Sequence, residues 1–205
     1  MKILAIDTSV GISVAILDDE EILAETTRNE HGIQGEQTAA IVVDLLHQTK
    51  LTCSQITDVV VGVGPGPYTG LRVGLATAQA FAFAQQIPVF GICSLDAIAH
   101  DFGKPCVVVT DARRKELYWA RYEDSRVVGP DVNSAIEISS LNTACDFVGP
   151  GVELYVESLS GQTLPLRAAS LGLLFASGSA QLVPVTPMYL RKPDAQEPTS
   201  RKSVL

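Results

Sequence analysis

The segment Gly64-Pro65-Gly66-Pro67-Tyr68-Thr69-Gly70 constrains this chain more than any other. It follows Asp58 to Gly64, a valine-rich run of the kind that forms a strand buried on both faces. It precedes an apolar stretch from about Gly70 to Gln86 that is long enough for a helix. Glycine admits positive φ and proline fixes φ, so the chain must turn sharply and rigidly from strand into helix. Such a turn can place helix N–H groups around an anion, or it can serve the fold alone. It matches neither G-x-G-x-x-G, because Thr69 stands where the last glycine belongs, nor the phosphate-binding loop that ends in Gly-Lys-Ser/Thr. Arg72, just inside the helix, can pair with an anion or a partner carboxylate, or stay solvated.

Within that helix Gly70, Gly74, Ala78 and Ala82 recur every four residues, with Leu71, Leu75, Phe81 and Phe83 beside them. A helix apolar nearly all round covers its own sheet with one face and offers the other to a second lobe or another subunit. Gly and Ala permit close helix approach, which favours a packing surface for a partner.

Upstream, Lys2 to Asp7, Ile12 to Leu17 and Ile22 to Thr26 read as three strands, and Glu36 to Lys50 as the first substantial helix. Thr52 with Gln55 forms a capping-box pattern. Pro88 to Ile92 is a further strand, and Ser94 is a candidate N-cap for a short helix through Ala99. The opening finds an echo: Ile3 to Asp7 followed by Thr8-Ser9 resembles Cys106 to Asp111 followed by Ala112-Arg113, with a second strand after each. Two related lobes would meet near His100 to Pro105. The second lobe contributes a strand before Gly149-Pro150-Gly151 and a helix from about Pro165 to Ser177, and Pro184 to Leu205 reads as an extended tail.

Composition narrows the function. The 205 residues carry a formal charge of −8, the wrong sign for a protein that holds nucleic acid by its own phosphate contacts, so any RNA contact is expected to need a basic partner. Cys53, Cys93, Cys106 and Cys145 lack C-x-x-C spacing and read as buried, reduced thiols. His31, His47 and His100 lack H-x-x-x-H spacing, so no metal site is expected. No stretch reaches the roughly 18 apolar residues of a membrane span, and Asp7 interrupts the N-terminal apolar run too early for a signal peptide. A cytoplasmic protein is expected. Asp7 and Asp111 would flank the cleft of an actin-like ATPase, but each can equally cap its own turn, and bulky Arg113-Arg114-Lys115 follow the second.

Read together, Ile3 to Ser9, Gly64 to Gly74, Asp111-Ala112-Arg113 with Glu116 to Ala120, and Pro187-Met188-Tyr189-Leu190-Arg191 resemble the bacterial TsaB (YeaZ) family. Pro67-Tyr68 replaces that family's usual Ser-Phe, Gly32 to Gln37 departs from its polar lead-in to the first helix, and the second lobe is trimmed.

The resemblance implies an α/β, actin-like ATPase (ASKHA, ribonuclease H-like) fold with two lobes of mixed sheet flanked by helices. It divides the chain into an N-terminal lobe over 1–103, a smaller lobe over 104–190 and a tail over 191–205. It further implies a non-catalytic subunit, without cofactor, in the synthesis of N6-threonylcarbamoyladenosine in tRNA. The implied partners are the transferase TsaD and the ATPase TsaE, with tRNA met only through the complex and a homodimer when the chain is alone. The partner surface is then expected on the first two helices, at Ile41, Leu45, Leu71, Arg72, Leu75, Ala78 and Ala82. Gly64, Pro65, Gly66, Tyr68, Thr69 and Gly70 form the family loop, and Asp7, Thr8, Ser9 and Asp111 a vestigial nucleotide cleft. A free-standing actin-like ATPase or small-molecule kinase is the rival reading.

Overall fold

The computed structural model describes residues 1–28 and 34–191. An antiparallel meander of β1 (Lys2–Asp7), β2 (Ile12–Asp18) and β3 (Glu21–Arg28) leads into α1 (Gln34–Thr49), β4 (Asp58–Gly62), α2 (Tyr68–Gln85), β5 (Val89–Ile92) and α3 (Ser94–Phe102). The chain continues through β6 (Cys106–Asp111), β7 (Glu116–Tyr122), β8 (Arg126–Ser134), α4 (Ala135–Leu141), β9 (Phe147–Val148) and β10 (Gly161–Gln162), then α5 (Ala168–Ala176) and β11 (Leu182–Val183).

Two mixed sheets result, ordered β11-β5-β4-β1-β2-β3 and β10-β9-β6-β7-β8. In each, the leading strand (β1 or β6) pairs antiparallel with its hairpin neighbour and parallel with a later strand, β4 or β9. The sequence echo between Ile3–Asp7 and Cys106–Asp111 is therefore an echo of topology. Two sheets of one plan, flanked by helices, make the two-lobe actin-like fold.

A strand with a parallel neighbour must be covered on both faces, which is why β1 and β4 read as unbroken apolar runs. Leu4, Ile6, Val59 and Val61 point to a core closed by α1 and α2, while Ile3, Ala5 and Val60 point to the opposite core, closed by α3 and α5. α3 is shared between lobes: Ala97 packs on the first sheet, and Leu95 and Ile98 pack with Val108 and Ala120 of the second. The far face of the second sheet is covered by Ile138 of α4 and by Val152 of a 3₁₀ turn, Val152–Tyr155.

The chain does not stay in the second lobe to residue 190: α5 packs against the first sheet and β11 adds to its β5 edge. Val185 and Met188 then reach the core beneath α1 and α2. Without α5, the small side chains Ala5, Ala15 and Val60 would face water, so a nearly all-apolar helix from late in the chain is drawn back to cover them. Of the tail, 192–205 lie outside the described residues. Nor are all four thiols buried. Cys53 opens an exposed 3₁₀ turn and Cys145 is half-buried, whereas burial pushes the Cys93 thiol up to about 12 and that of Cys106 to about 11. The capping-box residues behave as read, with the Gln55 side-chain oxygen accepting from the Thr52 N–H at 2.9 Å. Among the described residues no helix is long and apolar enough to cross a membrane.

A polar contact also joins the lobes. The Tyr122 hydroxyl donates to Asp96 Oδ1 at 2.7 Å, and Arg126 Nη1 lies 3.2 Å from the same oxygen. The Asp96 and Arg126 side chains are only 10% and 11% exposed. Burial raises the Asp96 carboxyl above its ordinary value, against the opposing pull of the Arg126 charge and the Tyr122 hydrogen bond. A carboxyl raised on folding favours the folded state most below the ordinary carboxylate range, and that advantage is lost as pH rises through the raised value. Arg126→Ala removes the counter-charge and is expected to cost about 3 kcal/mol near neutral pH. Because it pushes Asp96 higher still, the deficit against the parent protein narrows as pH falls from neutrality toward the ordinary carboxylate range; thermal melts across that range measure both effects.

Candidate functional site

Three segments meet at the C-terminal end of β1: the turn after Asp7, the loop after β4, and the start of α3. Asp7 is 1% exposed, yet both carboxylate oxygens are used. Oδ1 accepts from the Ser9 N–H at 2.7 Å and the Ser9 hydroxyl at 2.6 Å, and Oδ2 accepts from the Ser94 hydroxyl at 2.5 Å. Ser94 Oγ in turn accepts from the Gly64 N–H at 3.0 Å. Burial raises the Asp7 carboxyl, and these hydrogen bonds oppose the shift. Ser94, expected as the N-cap of α3, is instead its first residue, with Cys93 in the cap position. The buried carboxylate claims the hydroxyl that would have capped the helix.

Thr8 makes the next connection. Its hydroxyl donates to the Gly70 carbonyl at 2.7 Å and accepts from the Gly74 N–H at 3.0 Å, fastening the β1–β2 turn onto the first turns of α2. A Cβ at Gly66 would sit 2.8 Å from Ser9, one at Gly70 would sit 2.6 Å from the Thr8 carbonyl oxygen, and one at Gly74 would run into the Thr8 hydroxyl. The glycines of the loop and helix therefore make room for Thr8 and Ser9. The space that side chains would take at these glycines is filled by the chain itself, as a structural turn requires.

Beyond this junction lies an open cleft of about 660 Å³ between the loop at Gly66–Tyr68 and the turn at Ala112–Arg114, lined also by Tyr118, Tyr189 and Arg191. Neither Asp7 nor Asp111 lines it. Asp111 caps its own turn, accepting from the Arg113 N–H at 2.7 Å and pairing with Arg113 Nη1 at 3.2 Å. Of the residues expected to form a vestigial nucleotide cleft, Asp7, Thr8 and Ser9 are buried inside the first lobe, and Asp111 is half-buried at its own turn. Arg113, Arg114 and Lys115 follow with φ of +61°, +55° and +63°, a left-handed run of three bulky cations.

The stretch read as tail completes the cleft. Tyr189 stacks on Tyr68 with ring centroids 4.9 Å apart, Arg72 lies 3.8 Å over the Tyr68 ring, and Arg72 Nε donates to the Tyr189 hydroxyl at 3.1 Å. The Met188 N–H donates to the Val63 carbonyl at 2.8 Å, while Arg191 pairs with Glu116 and donates to the Ala112 carbonyl at 2.8 Å. Sequence analysis singled out Pro187 to Arg191 as a family segment but read it as part of an extended tail, and its docking across the cleft appears only in the fold.

The expected partner surface needs the largest correction. Ile41, Leu45, Leu71, Leu75, Ala78 and Ala82 are all 3% exposed or less, packed into the chain's own first lobe. The sheet takes the small-residue stripe because close approach of α2 to β1 and β4 requires it. Of the seven, Arg72 alone is exposed. The outward line on α2 runs instead through Arg72, Ala76, Ala80 and Phe83, with Phe83 88% exposed, and Val43 stands 50% exposed on α1. Arg72 is the one charged residue in the whole of α2. Sequence periodicity saw that the helix has two apolar faces and chose the wrong one for the outside.

His47 and His100 lie on α1 and α3, and His31 is outside the described residues. Among the described residues no three His, Cys, Asp or Glu side chains gather as a metal site. The junction makes an unusual stability prediction. Gly74→Ala improves helix propensity by about 1 kcal/mol, yet the collision with Thr8 is expected to leave a net loss of about 1–3 kcal/mol. Gly35→Ala in α1, where an added Cβ meets nothing within 4 Å, is expected to be neutral or stabilising; denaturant titration of both variants checks the contrast.

Comparison with known proteins adds the following. The family model described as TsaD: tRNA N6-adenosine threonylcarbamoyltransferase matches residues 26–158. A protein of Buchnera aphidicola (Schizaphis graminum) named tRNA threonylcarbamoyladenosine biosynthesis protein TsaB is 30% identical over 150 residues, 68% of this chain and 70% of that one. An uncharacterised protein of Mycobacterium tuberculosis is 39% identical over 207 residues, 95% of this chain and 93% of that one. Among solved structures, YeaZ from Pseudomonas aeruginosa superposes with a TM-score of 0.76 at 25% identity, covering 92% of this chain and 99% of that one.

Proposed function

Because this chain belongs to the TsaB (YeaZ) family, matched by the wider TsaD family model, we propose that it serves tRNA N6-threonylcarbamoyladenosine synthesis as a non-catalytic subunit that binds and activates TsaD alongside TsaE. The observation that carries this reading is the state of Asp7. A carboxylate that is to hold magnesium for phosphate chemistry needs free lone pairs facing a ligand. Asp7 instead accepts three hydrogen bonds inside the fold, and the glycines that could approach a phosphate are packed against Thr8 and Ser9.

The outward side of α2 supports the binding half of the proposal. An exposed Phe83 on a helix with a single charge, set among alanines, fits the apolar centre of an interface, and Arg72 and Tyr68 at its N-terminal end are residue types enriched at binding hot spots. Without TsaD the same face is expected to pair two copies of this chain. Activation requires that the chain bind the active conformation of TsaD better than the inactive one, since a partner with equal affinity for both shifts nothing. The site of action is then the cytoplasm, where tRNA is modified.

Reconstitution tests the reading: TsaD, TsaE and the enzyme that forms threonylcarbamoyl-adenylate are assayed for modified adenosine with and without this chain. Modification that depends on the chain is expected; equal modification without it overturns the proposal. Turnover of magnesium-ATP by the chain alone would instead favour the free-standing ATPase. Phe83→Glu is expected to abolish both TsaD binding and activation with an unchanged melting temperature. Ala78→Asp, which buries an unpaired carboxylate, is expected to cost about 4 kcal/mol or more of stability; calorimetry on the two variants separates the outward face from the core.

A further inference from the structure

We propose that the cleft between the Gly66–Tyr68 loop and the Ala112–Arg114 turn is a groove for single-stranded RNA. It would hold a few phosphates of a tRNA with its basic side chains and an unstacked base against its tyrosines; that the RNA is tRNA rests on the function proposed above. The chain as a whole carries −8, yet cations collect here. Arg113, Arg114 and Arg191 line the cleft, Lys115 is next in the same turn, and Arg72 stands over Tyr68 at its rim. Asp111 pairs with Arg113 and Glu116 with Arg191. Among the described residues no carboxylate pairs with Arg72, whose contacts are the neutral rings of Tyr68 and Tyr189, or with Lys115.

The aromatic half of the site is equally specific. Tyr68 and Tyr189 are stacked, yet remain 44% and 37% exposed, and Tyr118 lies in the same lining. Exposed rings interleaved with basic side chains along an open groove are what single-stranded nucleic acid uses, because every base has a face to stack and every linkage a phosphate to pair. The turn itself is unusual for a purely structural hairpin. Three consecutive positions in the left-handed region favour glycine or asparagine, and here they carry Arg, Arg and Lys, all exposed. Backbone strain of this kind concentrates where side chains have a task.

The same geometry disfavours a free nucleotide as occupant. A mononucleotide is held by backbone N–H groups that come close to its phosphates at bare glycines, and Gly66, Gly70 and Gly74 are covered by Ser9 and Thr8. What remains is a set of exposed side-chain cations, suited to a backbone lying across them. The overall negative charge limits the footprint to this groove, so binding is weak and steeply salt-dependent.

The test uses the full chain with a fluorescently labelled, unmodified tRNA transcript. Anisotropy is followed at about 50 mM and about 200 mM salt, with ultraviolet cross-linking to locate the contact. The parent chain is expected to bind in the range of about 10⁻⁴–10⁻⁵ M at the lower salt and to cross-link through peptides holding Tyr68 or Tyr189. Arg114→Glu combined with Lys115→Glu, checked for an unchanged circular dichroism spectrum and melting temperature, is expected to weaken binding at least about tenfold and flatten the salt dependence. Lys115→Glu alone, a milder change, is expected to fall between. No binding by the parent chain, equal affinity in the double variant, or cross-links confined to other surfaces overturns the proposal. So does displacement of the tRNA by an equimolar amount of magnesium-ATP, which would mark a nucleotide site. If modification depends on the chain while tRNA binding ignores these cations, the groove is wrong and the activating role stands. If tRNA binding depends on the groove and modification proceeds without the chain, the reverse holds.

Discussion

The first lobe is organised around a carboxylate that never reaches water. Asp7 ends a fully buried strand, so its two oxygens must find donors inside the protein. They take them from three places at once: the following turn through Ser9, the start of α3 through Ser94, and the β4–α2 loop through the Gly64 N–H that Ser94 relays. One residue further on, Thr8 ties the same turn to α2. Glycines at 66, 70 and 74 follow from this, since any side chain there would displace Thr8 or Ser9. Asp7, Thr8 and Ser9 are thereby the fastening between two strands and two helices.

The second dependence is between lobes. Each sheet repeats the other's plan, but the chain crosses from one to the other three times: through α3, through α5 with β11, and through the strap that ends at Arg191. The Asp96, Tyr122 and Arg126 contact joins α3 to the second sheet at one side, and the Tyr68–Tyr189 stack with Arg191 joins the lobes at the other. The open cleft is lined by residues of the second of these fasteners, Tyr68, Tyr189 and Arg191.

Much of this was legible in residue order. The buried strands announced themselves as valine and isoleucine runs, and the loop at Gly64–Gly70 announced a rigid entry into α2. The duplicated strand ending in aspartate announced the second sheet. The candidate site was legible in its parts and misread in its arrangement. Asp7 and Asp111 are equivalent in pattern, yet one is buried at 1% exposure and the other caps an exposed turn. Ser94 looks like any helix cap until a buried carboxylate lies beside it. On α2, two faces are apolar, and periodicity by itself carries no sign that tells the sheet side from the solvent side.

What the sequence determined alone is whatever depends on near neighbours in the chain. That covers which segments are strands or helices, where glycine and proline force a turn, the absence of paired cysteine and histidine motifs, and the family. What the tertiary structure decided depends on residues far apart in the chain. The pairing of Asp7 with Ser94 spans 87 positions and the Tyr68–Tyr189 stack joins residues 121 positions apart. It also decided that Ala78 faces the core and Phe83 the solvent. The physical reason is that backbone conformation answers to local sterics and hydrogen bonding, whereas burial answers to which distant surface arrives first to exclude water. A cleft lined by both lobes has no address in the sequence until the strap has closed across them.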